Sequence, residues 1–396
     1  MTRSADVGPR RQRATGGRPS ADDRVLVEVN PGLDTLEWSR RYELGQVPDR
    51  VPYGLHRLAD EGFTVLVREA PRSRAMDFVS RAGGRLTAGA RWPESLLARP
   101  PSDAASVRLC WDERTGIPAV LAQSPMRSHQ PVVSGVIWIT EDDAGLSPVA
   151  RWTAGRAVRR TDAIFVHSSG QVWPLREQWG VSPARIYPIH FGIDTDFWDP
   201  LRPADAKGPG DGRSAGPLLS PPDQAIARVV SVGNDRHRDH GLIVSALRDV
   251  RSKLPQARLE LVTRTPLHIP AEAGRWYKSL THSQLRELYQ GVQIAAVCTR
   301  PNNHASGLTA ILEAMAMGKT VVATRTAGLE DYVTDGETGV LVPCGDRDAL
   351  ARALYDLLND PGRCAQLGVQ ARERALRQFS TQAHARRLAV VLRSVL

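Results

Sequence analysis

Two stretches of the sequence carry residues whose types and spacing suit a phosphate-bearing ligand. The first is Ser306-Gly307 followed by Leu308 and Thr309, where a loop ends and an apolar helix pattern begins. Unpaired N–H groups at a helix start point at an anion, and the helix dipole favours negative charge there. A glycine at that point lets a phosphate come close to the backbone. Glu313 lies further along the same helix, which is otherwise apolar all round. A buried carboxylate needs a partner, and one in that place could accept hydroxyl hydrogen bonds, as from a ribose. The plainer alternative makes Ser306 a simple cap and Glu313 a solvated side chain. The second stretch is Gly233-Asn234-Asp235-Arg236-His237-Arg238, at the end of an expected strand. Arg236 and Arg238 offer fixed positive charge there, with a fork geometry that suits phosphate oxygens. The alternative is two solvated arginines in a turn. Gly318-Lys319-Thr320 looks like the end of a P-loop, but the required earlier glycine would fall on Glu313. The lysine also precedes a strand rather than a helix, so that reading is rejected.

These residues need elements to hold them. In the first half the apolar runs predict strands over 25–29, 63–67, 107–110, 132–139, 163–166 and 186–190, with a helix over 53–62. Residues 200–222 are rich in Pro, Gly, Asp and Ser, a linker composition. The second half restarts the rhythm. Strands are expected over 229–232, 259–262, 294–297, 320–323 and 340–342, and helices over 242–253, 283–289, 308–317 and 347–358. Asp346 is placed to cap the last of these and Pro361 to follow its end. An amphipathic helix closes the chain from 381 onward. Alternating strands and helices on either side of a linker predict an α/β protein of two Rossmann-like, doubly wound domains facing a central cleft. Ligands should sit at the carboxyl ends of the strands.

The chain has 396 residues, 41% hydrophobic and 24% charged, enough for two or three domains with cores of their own. Residues 1–22 hold Arg, Gly, Ser and Pro with almost no large apolar side chain, and a disordered basic tail is expected. No run of apolar residues is long enough to span a membrane. Cys110, Cys298, Cys344 and Cys364 are far apart and form no CxxC, which excludes a disulfide framework or zinc finger and fits a reducing cytoplasm. The net charge of +9 permits phosphate, acidic-membrane or nucleic-acid partners. No helix-turn-helix, zinc or RNP-type motif supports the last of these.

Further residues give the chain a resemblance. Ala310-Ile-Leu-Glu-Ala-Met-Ala-Met-Gly-Lys-Thr-Val-Val-Ala-Thr324, Gly328, Asp335-Gly-Glu-Thr-Gly-Val-Leu-Val-Pro343 and Gly345-Asp346 resemble the retaining GT-B fold glycosyltransferases of family 4. Phe191-Gly-Ile-Asp-Thr-Asp-Phe197 and Ser231-Val-Gly-Asn-Asp-Arg-His-Arg-Asp239 fit as well. The resemblance covers nearly all of 185–375; before 160 it is topological only. It implies an N-terminal acceptor domain over 23–200, with the helix 380–396 packing back on it. It also implies a linker over 201–222 and a nucleotide-sugar domain over 223–379. Glu313 falls on the second glutamate of the family's paired motif, which holds the nucleotide ribose. The first falls on Ala305, where the family's glutamate touches the donor sugar. His304, Asn303 or Asn302 are available for the missing contact. Gly233, Asn234, Arg236 and Arg238 fall on the family's diphosphate loop, with Ser306, Gly307, Leu308 and Thr309 at the helix start.

The first half should hold the acceptor. Many members of the family carry a histidine after the strand equivalent to 132–137, but here the chain reads Trp138-Ile-Thr-Glu141. Asp112 and Glu141 are therefore the candidates to orient or deprotonate an acceptor hydroxyl. The long stretch 31–48 carries Trp38 and Tyr42, suited to stacking on a sugar or ring. The reading is a metal-independent retaining glycosyltransferase. It moves a sugar from a nucleotide-diphosphate donor, UDP before GDP, to a hydroxyl of a glycan, lipid-linked sugar or small metabolite, in the cytoplasm or against the inner membrane face. No metal or permanently bound cofactor is implied: no Asp-x-Asp stands at an equivalent strand end, and Asp194-Thr195-Asp196, which has that spacing, belongs to the domain-boundary motif. The alternatives are a non-catalytic relative of the same fold that binds nucleotide sugars, and a basic nucleic-acid binder.

Overall fold

The computed structural model describes residues 23–30, 33–68, 105–123, 129–142, 145–202 and 227–396. The expected tail, 1–22, and residues 203–222 of the expected linker lie outside them. Two parallel six-stranded sheets organise the rest. The first is built from β1 (Arg24–Glu28), β2 (Thr64–Val67), β3 (Val107–Cys110), β4 (Val132–Gly135), β5 (Ala163–Val166) and β6 (Ile186–Pro188), in the order β2-β1-β3-β4-β5-β6. The second contains β7 (Arg228–Val232), β8 (Arg258–Val262), β9 (Gly274–Tyr277), β10 (Ile294–Val297), β11 (Thr320–Thr324) and β12 (Val340–Val342), in the order β12-β11-β10-β7-β8-β9. β3, β4, β5, β10 and β11 are buried at every residue. Strands covered on both faces read as unbroken apolar runs rather than alternating ones, which is how these sequences read.

Each sheet reverses its winding once, between β1 and β3 and between β7 and β10. A crevice opens outside the strand ends at such a point because the flanking connections leave to opposite faces. Helices α1 (Thr35–Glu43), α2 (Glu113–Leu121) and α3 (Pro148–Val158) serve the first sheet. Helices α4 (His240–Lys253), α5 (His282–Gln290), α6 (Leu308–Ala316), α7 (Arg347–Asn359) and α8 (Pro361–Gln378) serve the second. The final helix, α9 (Thr381–Arg393), crosses back to pack on the 3-10 helix Pro52–Ala59 and on β5. Leu388, Val391 and Leu392 are buried there with Val25, Leu55 and Leu58, each side chain stabilising the contact by about 1.5–3 kcal/mol. Arg393 Nη2 donates to the Glu61 carbonyl at 2.6 Å. Gly54, at φ +70, lies so close to α9 that a Cβ would stand 2.5 Å from Thr381 Cγ2.

The structure differs from the expected elements at several points. The strand expected over 132–139 ends at Gly135, because the amides of Ile137, Trp138 and Ile139 turn away from the sheet to the Glu113 carboxylate. The segment 53–62 forms a 3-10 rather than an α-helix, and Tyr53 and Gly54 at its start have positive φ. The described part of the stretch 31–48 contains α1, capped by Asp34 through the amides of Leu36 and Glu37. Pro361 is the first residue of α8, where its missing N–H is no loss. Among the described residues no helix is long and apolar enough to cross a membrane.

Candidate functional site

The crevices of the two sheets face each other across one cavity of about 220 Å³. Asn30, Trp111 and Arg114 line it from the ends of β1 and β3. Asp235 and the run 304–309 line it from the ends of β7 and β10. Gly233 ends β7, and the chain then turns so that Arg238 passes beneath the start of α6. Arg238 is only 5% exposed. Its Nη2 donates to the Val232 carbonyl, while its Nε and Nη1 have no hydrogen-bond partner. Two glycines make room for it: a Cβ on Gly233 would stand 2.3 Å from Nε, and one on Gly307 2.4 Å from Nη1. Burial pulls this guanidinium's pKa down. An unpaired buried cation is costly unless an anion arrives to pair it.

The start of α6 supplies the complementary donors. Gly307 is its N-cap, at φ +86, and no side chain caps the helix. Ser306 therefore does not act as the cap; its buried Oγ has no partner, and its amide donates to Asn302 Oδ1 at 2.8 Å. Ala305 adopts φ +53 and is buried, a left-handed conformation of the kind held under strain at ligand sites. Leu308 is buried and Thr309 exposed at the cavity. Ser306 and the start of α6 face the cavity, and Arg238, which does not itself line it, lies directly behind Gly307; the group suits an anion.

The other expected residues fall elsewhere. Arg236 is exposed and lies over the Trp138 ring at 5.6 Å. Asn234 Oδ1 accepts from the Arg264 amide at 2.6 Å, tying the β7 loop to the end of β8. Glu313 is 5% exposed, two turns into α6, and does not line the cavity. Its Oε2 accepts from the Tyr289 hydroxyl at 3.3 Å. Burial pushes its pKa up to about 8, and the Tyr289 bond offsets that only in part.

The carboxylates expected as bases are engaged within the protein. Asp112 is fully buried, caps α2 through the Arg114 amide and binds the Arg114 guanidinium at 2.9 Å. Glu141 accepts from the amides of Asn303 and His304, each at 3.0 Å, and meets His304 Nδ1 at 2.6 Å. Both placements correct the expectation of a carboxylate open to an acceptor hydroxyl: each faces donors of the protein itself and neither lines the cavity. His304 Nε2 meets Asp235 Oδ2 at 2.9 Å. Burial alone would lower the pKa of His304, but its bonds to Asp235 and Glu141 outweigh that and raise it to about 9. The same bond from His304 outweighs burial at Asp235 and holds that carboxyl well below its ordinary value. A charged Glu141–His304–Asp235 clasp thus joins the two halves at the cavity.

Further residues of the first half shape its side of the cavity. Tyr53 and Trp111 stack face to face, 3.8 Å apart, in the cavity wall. His167, directly after β5, also lines the cavity. Its Nδ1 faces the Ile189 carbonyl at 3.3 Å, and its Nε2 has no partner. Burial lowers its pKa to about 4, so the ring is neutral. The signal the sequence offers for it is its place directly after a strand. Trp38, expected to stack on a ligand, instead donates its Nε1–H to the Asp49 carbonyl at 2.8 Å.

Comparisons with known proteins bear on this geometry. Over 94% of its length the chain superimposes on sucrose-phosphate synthase from Thermosynechococcus elongatus, covering 99% of that chain, with a TM-score of 0.69 at 17% identity. The fold is GT-B. The Anabaena protein HepE, solved in complex with UDP and glucose, shares this GT-B architecture at a TM-score of 0.63 and 15% identity, over 94% of this chain and 99% of that one. Residues 226–360 match the family Glycosyl transferases group 1, so the GT-B half that carries Arg238 and α6 is also the half with the family match. The alpha-maltose-1-phosphate synthase of Mycolicibacterium smegmatis is 29% identical over 287 residues, 67% of this chain and 70% of that protein.

Proposed function

We propose that this chain is a glycosyltransferase that moves a sugar from a nucleotide-diphosphate donor, UDP-linked in the first instance, to an acceptor hydroxyl. The observation that carries the reading is the buried Arg238, unpartnered at Nε and Nη1 and set beneath two glycines at the uncapped start of α6. As the glycosidic bond breaks, negative charge builds on the departing diphosphate. A preorganised guanidinium and helix amides stabilise that charge more than they stabilise the bound donor. Ser306 Oγ donates to a phosphate oxygen, and the resemblance supports Glu313, which lies behind the cavity wall, as the group that serves the ribose. The HepE complex with UDP and glucose supports the choice of UDP. The resemblance to family 4 supports transfer with retention of configuration.

The acceptor enters from the first half. It rests on the stacked Tyr53–Trp111 pair, with Arg114 at its side and the neutral His167 ring as a hydrogen-bond acceptor for its hydroxyl. The M. smegmatis synthase supports a sugar or sugar phosphate as the acceptor class. A second reading, nucleotide-sugar binding without turnover, is favoured by one observation: Ala305 places a methyl group where the family's sugar-contacting glutamate would stand.

Thermal shift with UDP, GDP and ADP, followed by turnover with a donor panel read by mass spectrometry, tests both. A nucleotide that binds the fold raises its melting temperature by linkage. UDP stabilisation with product establishes the first reading, and UDP stabilisation without product the second. Absence of any nucleotide effect overturns both.

A further inference from the structure

Glu141, from the loop after β4, meets His237 and His304, from the loops after β7 and β10, at the junction of the two sheets. One ligand atom from each lies within 4.8 Å of the other two, and all three residues are buried. The two imidazoles also share a second carboxylate. Asp235 Oδ2 hydrogen-bonds His304 Nε2 at 2.9 Å, while Asp235 Oδ1 accepts from the His237 amide and lies 3.3 Å from His237 Nδ1 without a hydrogen bond to it. His304 turns its Nδ1 toward Glu141 Oε1 at 2.6 Å, and His237 Nε2 stands 3.8 Å from Glu141 Oε2. At His304 this is how protein metal sites are built, with an outer carboxylate fixing the tautomer so that the inner nitrogen can present a lone pair.

We propose that His237 Nε2, His304 Nδ1 and the Glu141 carboxylate form a binding site for a divalent transition-metal ion of the zinc type, with Asp235 as the outer carboxylate. Two imidazoles and one carboxylate suit zinc, cobalt or nickel and do not suit magnesium or calcium, which take oxygen ligands. Ligand bonds of about 2.0–2.1 Å in a tetrahedron place the ligand atoms about 3.4 Å apart. The three ligand atoms lie within 4.8 Å of one another, so the side chains must draw together by up to about 1.4 Å, the excess over that tetrahedral edge, to take the ion. A fourth position is left for water. The ligands come from both halves, so the ion fastens the sheets together across the cavity. Its role is that of a clasp, separate from Arg238. The site departs from the expectation of no metal, which looked only for Asp-x-Asp.

The test uses the full chain stripped with chelator, titrated with Zn²⁺ by calorimetry and with Co²⁺ by visible absorption. One saturable ion per chain is expected, with d–d bands of an imidazole-ligated Co²⁺ and no matching Mg²⁺ signal. His237→Ala and Glu141→Gln should abolish saturable binding. Asp235→Asn, which keeps all three ligands, should weaken it roughly 10- to 100-fold. Far-UV circular dichroism and UDP thermal shift on the same preparations report folding and the donor site separately. A chain that binds no Zn²⁺ or Co²⁺ overturns the proposal. Binding unchanged in folded His237→Ala or Asp235→Asn protein overturns it equally.

Discussion

The two halves share a topology and use it in opposite ways. At the winding reversal of the first sheet the acidic groups are all spent on structure. Asp112 caps a helix and pairs with Arg114, Glu113 gathers three amides, and Glu141 holds the loop 303–304. At the reversal of the second sheet the polar groups are left open: Arg238 Nε and Nη1 and Ser306 Oγ have no partner. Buried polar groups are nearly always satisfied within a protein. Open polar atoms lie at the junction on both sides, Asn30 Oδ1 and His167 Nε2 from the first half and Arg238 and Ser306 from the second; the difference is that the second half leaves a cation open there and the first leaves neutral groups.

The largest break of this contrast comes from Arg238→Met, which keeps much of the stem and removes the charge. Both kcat and kcat/KM should fall about 10²-fold, while Arg236→Met changes them little. Steady-state kinetics with the active donor decide, and the reverse ranking would assign the diphosphate to the exposed arginine. In the first half, Glu113→Ala strips the acceptor from three amides at once. A stability loss of about 2 kcal/mol is expected, read as a lower urea midpoint, with Trp138 fluorescence shifting as its loop loosens.

Glu313 sharpens the comparison through pH. Its carboxyl rises from an ordinary 4.5 to about 8 in the folded chain because it is buried. Between those values the folded state holds a proton that the unfolded state has released, so stability should decline as pH rises through that window. Glu313→Gln should flatten that decline and weaken nucleotide binding by about 1–3 kcal/mol. Thermal melts across pH, with and without UDP, separate the two effects; unchanged UDP affinity would remove Glu313 from the ribose. The smallest effect on turnover is expected from Asp112→Asn, which keeps a capping oxygen but turns an amide N–H toward the Arg114 guanidinium. Its stability should fall by about 1.5–3 kcal/mol, and turnover should persist. A collapse of turnover would return Asp112 to the chemistry.

Five strands of the second half were legible because each holds a short aliphatic run, as in Ile294–Val297 and Val340–Val342; β9, whose residues read Gly-Arg-Trp-Tyr, was not, since it has no such run. The helix start at Gly307 and the buried Glu313 were legible for the same local reason. The roles of Glu141 and Glu113 were not. Glu141 finds its partner 163 positions away, across the two sheets, and Glu113 captures a loop 24 positions on. Sequence shows that such residues are charged but not what they will touch. Arg238 and Arg236 sit two residues apart with the same side chain, and only the depth of the turn separates the buried one from the exposed one.

The return of α9 to the first sheet sets an order of events during synthesis. The surface formed by Leu55, Leu58 and β5 is made early in translation, yet the apolar residues that cover it, Leu388, Val391 and Leu392, leave the ribosome more than three hundred residues after Leu58. Domains generally fold as they emerge, amino end first. Here the half made first is the half finished last, and it carries an uncovered apolar face while the second half is being made. A stop codon placed before residue 381 would therefore strike hardest at the opposite end of the chain, leaving the first-sheet wall of the cavity, rather than the start of α6, without its support.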